Sequence, residues 1–263
     1  MAIKIKTAKE IEKLKVAGKL AADVLEMIGE HVEAGVTTEF LNQKMHDFMV
    51  NVQGTIPATL NYHGFPASSC ISINHVVCHG IPSNKKLKKG DIVNIDVTVI
   101  KNGYHGDSSL MFEIGDVKPF ASRLNRISRE CLWLGIEQVK PNNTFYDIAL
   151  AIETHAHKNN LTVVKEYCGH GIGSEFHEEP QVLHYTAPEL KELILKEGMV
   201  FTIEPMINLG KPDIRLLGDN WTVVTKDKKL SSQWEHTILV TKNGYEALTL
   251  RTDEKPFLPK ADI

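Results

Sequence analysis

The chain carries one pattern twice. Leu87–Asp96, LKKGDIVNID, is echoed 108 residues later (195 against 87) by Leu195–Glu204, LKEGMVFTIE, and each copy ends in a carboxylate within a strand-like run. Val32–Thr37, VEAGVT, returns as Val139–Thr144, VKPNNT, at an offset of 107 (139 against 32), and HGI occurs at His79 and again at His170. A unit that recurs at a near-constant offset, and is larger than any single helix or strand, limits the fold to two similar halves that pack on one another.

Each half reads as two helices followed by strands. Thr7 and Glu10 form a capping box, and Ile11, Leu14, Leu20, Ala21, Val24, Leu25 and Ile28 then recur at helical spacing. A second helix follows Thr37, with Leu41, Met45 and Phe48 on one face; strand-like runs cover Ile71–Val77, Asp91–Ile100 and Ser108–Ile114. The pattern restarts near Pro119 with Leu124, Ile127, Cys131, Leu134 and Val139, and again after Thr144 with Ile148, Ala151 and Ile152. Strands are expected over Leu161–Tyr167, Met199–Ile207 and His236–Thr241. The expected fold class is α+β: two halves, about 7–116 and 119–250, related by a pseudo-twofold within one catalytic domain 1–263, with the strands in a central antiparallel sheet and the helices on its outer face.

Composition removes several classes of function. A net charge of −3 gives no electrostatic footprint for nucleic acid, and the basic clusters at Lys85–Lys89 and Lys226–Lys229 read as solvated turns. Four cysteines without a CxxC pair, in 263 residues, point to a reducing cytoplasm rather than a disulfide framework. The N-terminal stretch MAIKIKTAKEIEKLK has no apolar core, so no signal peptide is expected. Between Phe48 and Asn84 there is no charged residue, yet Gly, Pro, Asn, His and Ser interrupt the run too often for a membrane span. That stretch is a candidate pocket wall.

The chemistry concentrates on strand carboxylates. Asn102-Gly103 is a strong hairpin signal between Asp91–Ile100 and the run from Tyr104. A two-residue Asn102-Gly103 loop sets Asp96 opposite Ser109 with Asp107 diagonally adjacent; a Lys101-Asn102 loop sets Asp96 opposite Asp107. Both registers leave the two carboxylates on one face. Glu204 occupies the place in the second half that Asp96 holds in the first, and Glu235 precedes another strand. Apposed carboxylates repel unless they are protonated or bridged by cations, and no basic residues accompany them, which favours divalent metal over ion pairs.

A nitrogen ligand is available in Tyr167–Pro180, YCGHGIGSEFHEEP, where His170 stands between Gly169 and Gly171 in a bend that glycines would permit. The stretch satisfies neither G-x-G-x-x-G nor GK[ST], and HEEP is not H-E-x-x-H, so a phosphate cradle and a helical zinc-protease site both fail. One imidazole with four carboxylates makes an oxygen-rich site suited to two divalent ions among Mn, Fe, Co and Zn.

The motifs CHGIP (78–82), NIDV (94–97), HGD (105–107), GHGIG (169–173), HEEPQV (177–182), FTIEP (201–205) and EHT (235–237), in this order, resemble type I methionine aminopeptidases from about Ile3 to Leu250. The resemblance implies a pita-bread fold of the compact bacterial kind, and a metalloprotease that removes N-terminal methionine from nascent polypeptides. It implies Asp96, Asp107, His170, Glu204 and Glu235 as metal ligands, with Asp107 and Glu235 bridging. It further implies attack by a dimetal-activated water on the first peptide bond, Glu204 as proton shuttle, and His79 and His177 as substrate-facing residues that bind no metal. The methionine pocket it implies is Thr59, Tyr62, Phe65, Cys70, Phe176 and Trp221, with Thr59 and Phe65 standing where most bacterial members have Cys and Tyr. Asn74, Val76 and Ser231 match a monovalent-cation site of some relatives. The setting implied is a cytoplasmic monomer in transient contact with the ribosome, without nucleic-acid specificity. Rival readings are an Xaa-Pro aminopeptidase, which usually carries an added N-terminal domain; a catalytically inactive binding module on the same fold; and a dimetal phosphatase, for which no basic cluster accompanies the carboxylates.

Overall fold

The computed structural model describes residues 3–259, so the ends of the expected 1–263 domain lie outside the described residues. Four long helices form where the caps place them. Helix α1 (Ala8–Gly29) is opened by the Thr7/Glu10 capping box, and helix α2 (Thr38–Asp47) by Thr37. Pro119 begins α3 (Pro119–Ile136), where its missing N–H is harmless. A Thr144/Asp147 capping box begins α4 (Phe145–Lys158). Val139, grouped with α3 by spacing, lies beyond its end. No helix among the described residues is long and apolar enough to cross a membrane.

Two apolar cores lie under the two helix pairs. Leu25 and Ile28 of α1 and Leu41 and Met45 of α2 pack on Val93, Ile95 and Val97. Leu124 and Trp133 of α3 and Ile148 and Ile152 of α4 pack on Phe201, Ile203 and Ile238. This repeats one packing scheme with helices outside and strands inside, as the duplication implies. Helix α1 lies so close to strand Tyr104–Glu113 that a Cβ on Gly106 would sit 2.2 Å from the backbone of Ala17. Only glycine fits there, which explains the middle residue of the HGD motif.

The strands are antiparallel, as expected, but their hydrogen bonding divides them into four sheets rather than one. In the first half, Ile92–Lys101 pairs along its whole length with Tyr104–Glu113, and on its other edge with Cys70–Ile73 and Ile56–Pro57. The second half has the order Tyr245–Ala247, His236–Val240, Val200–Ile203, Gly169–Gly171, Glu178–Val182. Two three-stranded sheets flank these. The large sheets meet at a bridge between Ser109 and Glu235, reinforced by Ser108 Oγ donating to Glu235 O (2.8 Å) and Thr237 Oγ1 donating to Asp107 O (2.8 Å).

Three expected strands are shorter than their apolar runs. Asn74, at φ 58°, breaks Ile71–Val77 into Cys70–Ile73 and Val76–Cys78. Pro205 lacks an N–H, and Met199–Ile207 splits there into Val200–Ile203 and Met206–Asn208, which join different sheets. Of Leu161–Tyr167 only Thr162–Val163 pairs. Conversely, Gly169–Gly171 is a strand where its glycines suggest a bend, and Glu178–Val182 pairs with it.

Candidate metal centre

The hairpin settles the register. Lys101 pairs with Tyr104, Asp96 with Ser109 and Thr98 with Asp107, around a turn in which Asn102 (φ 52°) and Gly103 (φ 76°) both take positive φ. Asp96 and Asp107 are therefore diagonal neighbours on one face. Thr98 Oγ1 donates to Asp107 Oδ1 at 2.8 Å, holding the more deeply buried of the two carboxylates.

The second half brings the remaining candidates to the same face. His170 Nε2 lies 3.5 Å from Asp107 Oδ2 and 3.7 Å from Glu204 Oε1. Possible ligand atoms of Asp107, His170 and Glu235 all lie within 4.8 Å of one another. The His170 N–H at Nδ1 donates to Gly171 O (3.0 Å), which leaves Nε2 facing the carboxylates. Gly169 and Gly171 have no positive φ; the bend reading is corrected by what surrounds them. A Cβ would lie 2.3 Å from Thr202 O at Gly169 and 2.2 Å from Glu179 O at Gly171. Glycine is needed there for close approach, not for unusual angles.

Charge at this face is unbalanced. Burial, then the Asp107 and Glu204 charges, pushes Asp96 well above the usual carboxylate range. Glu235 is pushed up likewise, by burial and then by Asp107, Glu204 and Asp96. Burial lifts Glu204 to about 7, with His170 pulling the other way. His170 is raised: burial disfavours its charged form, but the carboxylates of Asp107 and Glu204 more than offset that. No Lys or Arg lines the cavity around these groups. Four carboxylates and one oriented imidazole, without a basic partner, fit an oxygen-rich divalent site.

That cavity, of about 320 Å³, is lined by Asp96, Asp107, His170, Glu204 and Glu235 and also by His79, His177, Thr59, Tyr62, Phe65, Cys70, Phe176 and Trp221. Every divalent-metal, catalytic and methionine-pocket candidate named from the sequence thus faces one space. Phe65 and Trp221 meet edge to face at 5.2 Å, and the Tyr62 and Phe176 rings lie 4.8 Å apart, tilted by 51°. Thr59 spends its hydroxyl on Ala67 O (3.1 Å), so it brings no unpaired donor to an apolar wall. Burial pushes the Cys70 thiol well up, keeping it neutral. Asn74 and Ser231 lie together outside this space, joined by Ser231 N–H donating to Asn74 O (2.9 Å).

His79 and His177 are held neutral. Burial lowers His79 to about 4, and burial with the nearby His170 lowers His177 to about 4. His79 sits at φ 54°, a costly angle for a non-glycine residue, and packs edge to face on Tyr167 and Trp221. His177 Nδ1 is 2.8 Å from the Tyr62 hydroxyl, and its ring centroid is 4.1 Å from that of His170.

The supporting residues were not named from the sequence. Thr202 Oγ1 accepts the His170 backbone N–H (3.0 Å) and donates to Glu204 Oε1 (2.8 Å), tying two candidate ligands together. Gln233 Nε2 donates to Glu204 Oε2 (3.1 Å), and His184 Nε2 accepts the Glu204 N–H (3.1 Å). Strand alternation could have found Thr202 and Gln233, each two residues from a candidate ligand; nothing local marks His184.

The profile of metallopeptidase family M24 matches residues 12–242. The methionine aminopeptidase of Escherichia coli K12 is 56% identical over 255 residues, covering 97% of this chain and 96% of that protein. Its counterpart from Buchnera aphidicola is 55% identical over 251 residues, covering 95% of each. The crystal structure of methionine aminopeptidase from Rickettsia prowazekii superposes with a TM-score of 0.92 at 52% identity, covering 95% of this chain and 100% of that one.

Proposed function

The chain belongs to metallopeptidase family M24 and has its pita-bread fold, and from that premise we propose that it is a methionine aminopeptidase, a hydrolase that removes the N-terminal methionine of peptides. The observation that carries this reading is the single cavity in which an uncompensated His–carboxylate cluster adjoins an aromatic, apolar pocket. The whole chain 1–263 would act as one catalytic domain, a cytoplasmic monomer meeting nascent chains in passing contact with the ribosome.

Asp96, Asp107, His170, Glu204 and Glu235 would hold two divalent ions. Bound divalent ions supply Lewis acidity and make a water molecule acidic enough to attack near neutral pH. The remaining chemistry belongs to the chain. The neutral α-amino group of a free N-terminus would bind at this centre, which would restrict cleavage to the first residue. Glu204, steadied by Thr202 and Gln233, takes a proton from the attacking water and passes it to the leaving amine. With the Tyr62 hydroxyl, 2.8 Å away, as donor to His177 Nδ1, the His177 N–H at Nε2 would face the developing oxyanion. His79 contacts the scissile amide and orients it. Thr59, Tyr62, Phe65, Cys70, Phe176 and Trp221 enclose the methionine side chain, whose thioether suits such a wall. A buried Ser231 hydroxyl without a hydrogen-bond partner, beside the Asn74 carbonyl, fits the monovalent-cation site with Val76.

The test is methionine release from Met-Ala-Ser by metal-stripped protein reloaded separately with Mn, Fe, Co and Zn, beside an Xaa-Pro peptide. We expect metal-dependent release from Met-Ala-Ser. Preference for the Xaa-Pro peptide, or inactivity with every metal, sinks the reading.

A further inference from the structure

One wall of the methionine pocket is held from outside the cavity. Phe65, Ala67 and Cys70 form a small buried cluster, completed by Ile81 and Trp221. Between Phe65 and Cys70 the chain has no helix or strand of its own. Two side chains one turn apart on α2 grip this segment. Asn42 Oδ1 accepts both the Ser68 N–H and the Ser69 hydroxyl, each at 3.1 Å. His46 Nδ1 lies 2.8 Å from Ser68 Oγ. Asn42, Ser68 and Ser69 are all buried, and neither Asn42 nor His46 lines the cavity.

We propose that Asn42 and His46 are positioning residues that fix the width of the pocket and so set its selectivity for an unbranched first side chain. This rests on the reading of the chain as a methionine aminopeptidase. An apolar pocket distinguishes side chains by fit, and a misplaced methylene is worth only about 10–200-fold even when the wall does not yield. Ala67, Ser68 and Ser69 are small, so packing alone gives this wall little to lock against its neighbours. Their buried polar groups must find partners, and those partners decide where the segment sits. In this molecule the partners come from α2, with Thr59 anchoring the Ala67 carbonyl from the pocket side.

Asn42→Leu keeps the branched side-chain shape but leaves the Ser68 N–H and the Ser69 hydroxyl without their acceptor, so the wall must move. The test uses the full chain loaded with Mn, and compares Met-Ala-Ser with Leu-Ala-Ser. Asn42→Leu is expected to raise KM for Met-Ala-Ser about tenfold, change kcat less than about twofold, and lower the Met-to-Leu preference about tenfold. Asn42→Asp keeps an acceptor oxygen and should restore both values toward the parent. The Ser68→Ala/Ser69→Ala pair loosens the same grip more gently and should shift preference in the same direction even if Asn42→Leu does not fold. Mn affinity measured by calorimetry should stay unchanged in all of them. Unchanged KM and preference in folded Asn42→Leu or in the serine pair would overturn the proposal. So would a fall in kcat accompanied by weakened Mn binding, which marks a merely structural role. A parent enzyme that fails to cleave Met-Ala-Ser overturns instead the function on which the proposal stands.

Discussion

Asp107 and His170 meet across the seam between the halves, with Nε2 of His170 3.5 Å from Oδ2 of Asp107. One comes from the hairpin of the first half and the other from a glycine-flanked strand of the second, so neither half holds the centre alone. Asp107 also pushes up the carboxyls of Asp96, Glu204 and Glu235. Asp107→Asn should therefore act in opposite directions on activity and on metal-free stability. Loss of partners beyond the ligands costs metal sites about 10–100-fold, so loss of a ligand should cost at least the upper figure. With metal removed, however, the variant has one repelling charge fewer. It should melt at a higher temperature than the metal-free parent in scanning calorimetry with EDTA. A lower melting temperature would show that Asp107 is held by interactions stronger than the repulsion.

The carboxylates also give a pH dependence with a definite sign. Glu204 is raised from the ordinary 4.5 to about 7, so between those values the folded chain holds a proton that the unfolded chain has lost. For an acid raised in this way, stability is highest below about 4.5 and falls as pH rises toward about 7. His79 and His177, lowered to about 4, pull the other way, since they stay neutral while the unfolded histidines charge below about 6.5. A difference between variants isolates the carboxylate. Glu204→Gln, metal-free, should match the parent near pH 4.5 and exceed it increasingly up to about pH 7. Thr202 Oγ1 and Gln233 Nε2 can both still bond the amide in one orientation. A difference in melting temperature that does not grow with pH would contradict the raised Glu204.

Much of this was legible in the sequence, for reasons that can be stated residue by residue. The Thr7/Glu10 and Thr37 caps, Asn102-Gly103 and the repeat at an offset near 108 are local signals, and they placed helices, hairpin and halves. Asp96 and Asp107 could be put on one face because period two survives either hairpin register. What local reading missed was made by distant backbone. Gly106, Gly169 and Gly171 are glycines because Ala17, Thr202 and Glu179 lie against them, and nothing nearby in sequence records that. The break at Pro205 moves the chain between sheets at the residue after Glu204, and His184 supplies the acceptor that the Glu204 N–H takes there.

His79 and His177 should separate catalysis from metal binding. Replacing either by Ala is expected to lower kcat about 10²–10³-fold, the range for loss of one group that stabilises a developing charge. Metal content measured by mass spectrometry should stay at the parent value; loss of metal would show that the residue is a ligand. Tyr62→Phe tests the tautomer. Without the hydroxyl 2.8 Å away, His177 Nδ1 is free to take the proton, and kcat should fall about tenfold with metal content intact.

The last prediction concerns a charge pair outside the cavity. Lys6 Nζ lies 2.5 Å from Glu178 Oε2, with side-chain exposures of 3% and 4%, and Glu178 also accepts the Glu175 N–H at 3.3 Å. The pair pins the turn that carries Phe176 and His177 to the segment before α1. Removing one partner of a buried pair costs about 3–5 kcal/mol, because the other charge stays behind, whereas replacing both by apolar groups is often close to neutral. Exposed Lys4, 3.3 Å from the other Glu178 oxygen, should relieve part of that, so Lys6→Met is expected near the lower figure, about 3 kcal/mol. Lys6→Met/Glu178→Leu should recover most of the stability by removing the stranded carboxylate. It should not recover kcat, because the turn has lost its link to Glu175 N–H and to the first half. Denaturant midpoints and kcat measured on both variants decide it. If the double variant regains stability and turnover together, the pair holds the fold but does not place His177.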